Sequence, residues 1–145
     1  MKTIILKDKL KEGISVVERI SSRILSLPIL NNILITGEKN FLKITATDLE
    51  IGINWWSLAK IEKEGKIAVP AKVLSGFIGL LPNKQVEMDV KDSNLKIECE
   101  NYETTVKGVS PDDFPIIPKV STEESASIKA KVFCQNLSQV VDIAN

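Results

Sequence analysis

Lys66-Ile67-Ala68-Val69-Pro70-Ala71-Lys72-Val73-Leu74-Ser75-Gly76-Phe77-Ile78-Gly79-Leu80-Leu81-Pro82-Asn83 is the stretch whose reading decides the fold. Lys66 to Val69 is a short β-type run. Pro70 suits a helix start, because its missing N–H is one that the first turn leaves unbonded in any case. Leu74, Ile78 and Leu81 then recur at i, i+4 and i+7, the apolar stripe of an amphipathic helix, and Pro82 with Asn83 ends it. The same pattern opens the chain: Thr3 to Leu6 is β-rich, Asp8 stands where a cap is expected, and Leu10, Ile14 and Val17, with Ile20 close by, carry the stripe 64 residues earlier. It opens again 63 residues later, with Ile128 to Val132 as a strand and Leu137, Val141 and Ala144 as the stripe.

Between these openings lie two meanders. The first has alternating runs at Ile29 to Thr36, Phe41 to Thr47 and Ile51 to Leu58, the last with Ile51, Ile53 and Trp55 on one face. Gly37 to Asn40 turns between the first two, and Thr47-Asp48-Leu49-Glu50 turns or bulges between the second and third. The second meander runs through Val86 to Val90, Leu95 to Cys99 and Tyr102 to Val106, joined by Asp92-Ser93-Asn94 and Glu100-Asn101. The proline-rich Ser110 to Pro118 and the polar Ser121 to Ser125 read as connector, since each proline removes a ladder donor. The expected architecture is α+β: two βαβββ units forming one domain over residues 1–120, with helices on one face of antiparallel sheets. Residues 121–126 are the expected connector and 127–145 the truncated start of a second domain.

With 145 residues, 43% hydrophobic and 26% charged, the composition is that of a soluble globular protein with room for one full domain. Nineteen basic side chains balance nineteen acidic ones, so a polyanion would have to be met by local patches rather than by a whole-protein field. There is no histidine, which removes Ser-His-Asp, Cys-His and His-based zinc chemistry. Cys99 and Cys134 form no CxxC element, so no metal, cofactor or disulfide framework is indicated, and a reducing cytosol is the expected home. Met1 to Leu10 lacks the apolar core of a signal peptide, and Ile24 to Gly37, the longest uncharged stretch, is short of the roughly 18 apolar residues of a membrane span.

Opposite the apolar stripes, the first helix carries Lys11, Ser15, Glu18 and Ser22, with Arg19 at the margin, and the second carries Lys72, Ser75, Gly76 and Gly79. The first set is polar and mixed in charge; the second reads either as a solvated face or as one that a phosphate backbone can approach, small side chains sitting beside a cation near the helix start. The repeat places both helices side by side, which would align Lys11, Arg19, Arg23 and Lys72 on one surface. Asp48 with Glu50, and Asp112 with Asp113, read as turn and cap carboxylates rather than metal ligands. Strand alternation buries Trp55 and leaves Trp56 open to stack on a base. Cys99 shares a face with Leu95 and Ile97 and belongs to the core.

Four ordered motifs carry a resemblance: Leu27-Pro28-Ile29-Leu30 with Asn32-Ile33-Leu34-Ile35; Thr45-Ala46-Thr47-Asp48-Leu49-Glu50; Val69-Pro70-Ala71-Lys72; and Asp113-Phe114-Pro115. In order and spacing, over about the first 120 residues, they resemble the first domain of the bacterial sliding clamp, the beta subunit of DNA polymerase III. Ser127 to Asn145 look like the opening strand and helix of that family's second domain. The resemblance implies a DNA-clamp fold and a non-catalytic processivity factor of the cytoplasm, grouped with the DNA-directed DNA polymerase it serves. It further implies a head-to-tail homodimeric ring whose helices line a hole holding double-stranded DNA. Polymerase III and the clamp loader would be met through domains that this chain does not contain. The family's duplex-contacting cation after the Pro-Ala pair falls on Lys72. Its arginine before the Leu-Pro-Ile-Leu motif is matched best by Arg23, which lies five residues before Pro28 where the family has four, with Ile24 in the expected place. Lys11 and Arg19 are further DNA-facing candidates. The rival expectation is a stand-alone α+β interaction module with a clamp-like fold and no ring.

Overall fold

Both complete strand-helix openings form as their patterns predict. The computed structural model describes residues 1–21, 27–118, 126–141 and 143. β1 (Lys2–Leu6) runs straight into α1 (Lys7–Ser21), and β6 (Gly65–Pro70) runs straight into α2 (Ala71–Leu80). After α1 come a 3-10 turn (Pro28–Asn31), β2 (Asn32–Glu38), β3 (Phe41–Thr47), β4 (Gly52–Leu58) and β5 (Lys60–Lys63). After α2 come β7 (Gln85–Lys91), β8 (Asn94–Cys99), β9 (Tyr102–Lys107) and a second 3-10 turn (Pro111–Asp113), and α3 (Ala130–Val141) lies beyond.

Several expectations need correction. α1 begins at Lys7, so Asp8 sits in its first turn rather than at the cap, where its charge still complements the helix dipole. The strand expected from Ile29 starts at Asn32, because Pro28 opens a 3-10 turn whose carbonyls at Pro28 and Ile29 accept from Asn32 Nδ2 at 3.3 and 3.1 Å. Ile51 precedes β4 and is exposed, leaving Ile53 and Trp55 as the half-buried face. β5 is an additional strand, too short and too charged to show alternation. The passage from Ser110 to Pro118 is more than a connector: Phe114 is buried, and Ile117 packs on Gly52. No strand forms at Ile128 to Val132, since Ala130 to Val132 are already helical. Most of the expected connector, and Ala144, lie outside the described residues.

The meanders form as read, but each unit's first strand joins the other unit's sheet. One sheet has the order β5-β1-β7-β8-β9 and the other β4-β3-β2-β6. β1 pairs antiparallel with β7, Lys2 opposite Asp89 through Leu6 opposite Gln85. β6 pairs antiparallel with β2, Asn32 opposite Pro70 through Gly37 opposite Gly65. The chain passes between sheets at Ala59, whose N–H donates to the Asn40 carbonyl at 3.0 Å, returns between β5 and β6 at Glu64, and beyond β9 bridges back through Val109 opposite Ala68.

Both helical stripes and the inward faces of both sheets meet in one core. Leu10, Ile14 and Val17 from α1 and Leu74 and Ile78 from α2 join Ile33, Ile35, Leu42 and Ile44 of one sheet and Val86, Met88, Leu95 and Ile97 of the other. α1 and α2 pack against each other, and α1 lies over β3 and β4. The close approach of α1 to β4 rests on Gly13, where a Cβ would collide with the Trp55 indole. Gly13→Ala should therefore destabilise the domain by about 1–3 kcal/mol through overpacking, reduced by the roughly 1 kcal/mol that alanine gains in a helix. Urea unfolding checks this, and adding Trp55→Leu should recover much of the loss.

Candidate nucleic-acid interface

Each of the two packed helices buries one stripe and presents the other outward. On α1, Lys11, Ser15 and Arg19 are exposed and Glu18 is half-buried; on α2, Lys72, Gly76 and Gly79 are exposed and Ser75 is half-buried. Because the helices pack side by side over one core, these outward stripes belong to a single layer. Lys11, Arg19 and Lys72 are thus exposed residues of that layer, whereas Arg23 and Ser22 lie outside the described residues.

Electrostatics distinguishes these cations from most of those on the strands. Lys2 Nζ lies 2.8 Å from Glu87 and 3.1 Å from Glu62, Lys60 lies 2.7 Å from Glu62, and Lys66 lies 2.9 Å from Asp112. Hydrogen bonds donated to Glu87 and then to Glu62 hold the Lys2 ammonium well above its ordinary pKa, while Lys60 and then Lys2 hold the Glu62 carboxyl below its own. Lys96 is raised in the same way by Glu98 and Glu103. On α1, Lys9 is engaged by Glu12 at 2.9 Å and Lys7 approaches Asp8 at 3.9 Å. Among the described residues, Lys11, Arg19 and Lys72 form no ion pair. Exposed pairs add little to stability, but they cancel the field where they occur and leave it uncancelled where they do not.

Two features of α2 lower the domain's own stability without return from within it. Lys72 stands in the first turn, at the positive end of the helix dipole, and that turn contains no acidic residue. Gly76 and Gly79 face open space, a Cβ at either meeting nothing within 4 Å. Packing inside the domain requires neither glycine, and a glycine in a helix costs about 1 kcal/mol relative to alanine. An unpaired cation beside a smooth surface suits the approach of a bulky polyanion.

The remaining candidates settle into structural roles. Asp48 Oδ1 accepts from the Glu50 and Ile51 N–H groups at 3.0 and 2.7 Å, closing a turn in which Leu49 adopts a positive φ of 78°. Asp112 is the middle residue of the second 3-10 turn, its N–H donating to Ser110 Oγ, and pairs with Lys66, and Asp113 ends that turn. Cys99 is buried with Leu95 and Ile97, and desolvation pushes its thiol pKa up. Trp55 is half-buried over α1, while Trp56 is 60% exposed. Val73 and Leu80 are exposed off the buried stripe of α2, which periodicity alone does not single out in a short, largely apolar helix.

Gly76→Ala should raise unfolding stability by about 0.5–1 kcal/mol. Lys72→Glu should add about 0.3–1 kcal/mol by reversing the charge at the dipole. Denaturant titration checks both, and a loss at either position would mean that this face is packed rather than presented.

Comparison with known proteins finds matches along most of the chain. The sequence model described as DNA polymerase III beta subunit, N-terminal domain, matches residues 1–118. A beta sliding clamp from Synechocystis is 34% identical over 129 residues, covering 83% of this chain and 33% of the relative. A crystal structure of a DNA polymerase III beta subunit from Eubacterium rectale superposes with a TM-score of 0.81 at 34% identity, covering 86% of this chain and 34% of the other. The Pseudomonas aeruginosa subunit shares the fold with a TM-score of 0.88 at 24% identity, covering 95% and 38%. The chain spans about a third of the length of these relatives.

Proposed function

The chain belongs to the DNA polymerase III beta subunit family, and from that premise we propose that it forms one sector of a replication processivity clamp around double-stranded DNA. The helical layer faces the duplex. Lys72, Lys11 and Arg19 offer it single, unfixed phosphate contacts, with Arg23 as the family's second position. The role is non-catalytic and cytoplasmic. The observation that carries this reading is that Lys72 pairs with none of the described residues, on a helix whose outward glycines meet none of them within 4 Å. Such contacts fix neither register nor sequence, so DNA can move past them, and a ring that holds DNA by topology has no need of net positive charge.

In the whole protein, residues 1–120 make up the first clamp domain, 121–126 the connector and 127–145 the opening of the second. α3 supports that division: it is amphipathic, with Phe133, Leu137, Val140 and Val141 exposed, and an apolar stripe of this kind is ordinarily laid against a sheet. Head-to-tail dimerisation closes the ring, and polymerase III and the clamp loader engage domains beyond this chain.

Lys72→Ala should lower affinity for blunt duplexes by a similar factor at every sequence and reduce the salt slope by about one counterion. Arg23→Ala should act in the same direction. Fluorescence anisotropy across a salt series reads both. Sequence-dependent losses, or an unchanged slope for Lys72→Ala, would refute the assignment.

A further inference from the structure

The outer face of the β2-β3-β4 sheet, on the side away from the helices, carries a second feature that the duplex reading leaves unused. Phe41, Lys43, Trp56 and Leu58 alternate outward while Leu42 and Ile44 point into the core. The register sets Phe41 opposite Leu58 and Lys43 opposite Trp56, with Thr45 opposite Asn54. Trp56 is 60% exposed and Phe41 45%, and together with Lys39, Lys43, Asn54 and Glu38 they line a groove of about 360 Å³.

The polar groups of the groove are mostly donors. Thr45 Oγ1 donates to Asn54 Oδ1 at 2.8 Å, which occupies the amide oxygen and leaves the Nδ2 hydrogens for another acceptor. Among the described residues, neither Lys39 nor Lys43 forms an ion pair, although Lys66 on the same sheet and Lys2, Lys60, Lys91 and Lys96 on the other all do. Among the described residues, Glu38 is the one carboxylate in the lining. Two aromatic faces flanked by two uncompensated ammonium groups and an amide donor match a ligand made of flat rings, carbonyl acceptors and phosphates. We propose that this groove binds a short segment of single-stranded nucleic acid, a base stacking on Trp56 with Phe41 beside it, its carbonyl oxygen accepting from Asn54 and the flanking phosphates meeting Lys39 and Lys43. Stacking platforms of this kind tolerate any base and depend strongly on salt.

The test is a titration of the 145-residue chain with a short oligothymidylate at low salt, read by tryptophan fluorescence. The expected result is quenching on binding. Trp56→Leu should remove most of that quenching and weaken binding about tenfold. Lys43→Gln should weaken binding severalfold and flatten its salt dependence, while Lys96→Gln, on the other sheet, should leave it unchanged. Binding of undiminished affinity in Trp56→Leu would overturn the proposal, as would no binding at all, or a preference for an acidic, apolar peptide over the oligonucleotide.

Discussion

Each βαβββ unit gives its first strand to the other unit's sheet, and the rest of the domain depends on those two antiparallel pairings. β1 completes the sheet of β7, β8 and β9, and β6 completes that of β2, β3 and β4. Neither unit can close its own sheet, so neither can separate from its partner without exposing a row of unpaired backbone groups. Each helix starts at the residue after an exchanged strand, α1 at Lys7 and α2 at Ala71. The exchange therefore draws both helices to the same place, where their stripes share one core.

A layer built in this way has an inner and an outer side with different tasks. Facing the core, the helices contribute fully buried leucine, isoleucine and valine. Facing outward, they give up some stability: a cation sits against the dipole of α2, and glycines stand where alanine would serve the helix better. On the strands, charge is largely spent in lateral pairs such as Lys2 with Glu62 and Glu87. A chain with no net charge thus leaves cations uncancelled on its helical layer through pairing rather than through composition.

Much of this was legible in the sequence, and what was not has physical causes. Leu10, Ile14, Val17 and Leu74, Ile78, Leu81 revealed the helices because one-sided burial imposes a period, and all six are buried. β3 runs over the residues that alternation gave it. The exchange of β1 and β6 was hidden, since alternation records which face of a strand is buried and says nothing of its lateral neighbours. Gly13 was hidden for a related reason: its need is set by Trp55, a residue distant in sequence. Lys72 stood out as a cation at a helix start, the repeat set it on one surface with Lys11 and Arg19, and the family resemblance chose between a solvated and a phosphate-facing role, while β5 was too short and charged to leave a pattern.

The claim that the helical layer is the face presented to duplex DNA is tested most directly by mapping backbone amide chemical shifts of the 145-residue chain during titration with a blunt duplex. The account predicts perturbations gathered on the outward residues of the two helices, Lys11, Ser15 and Arg19 on α1 and Lys72, Ser75, Gly76 and Gly79 on α2, that fade together as salt is raised. Perturbations centred instead on the ion-paired strand residues Lys2, Glu62, Lys96 and Glu98, with the helices silent, would contradict it.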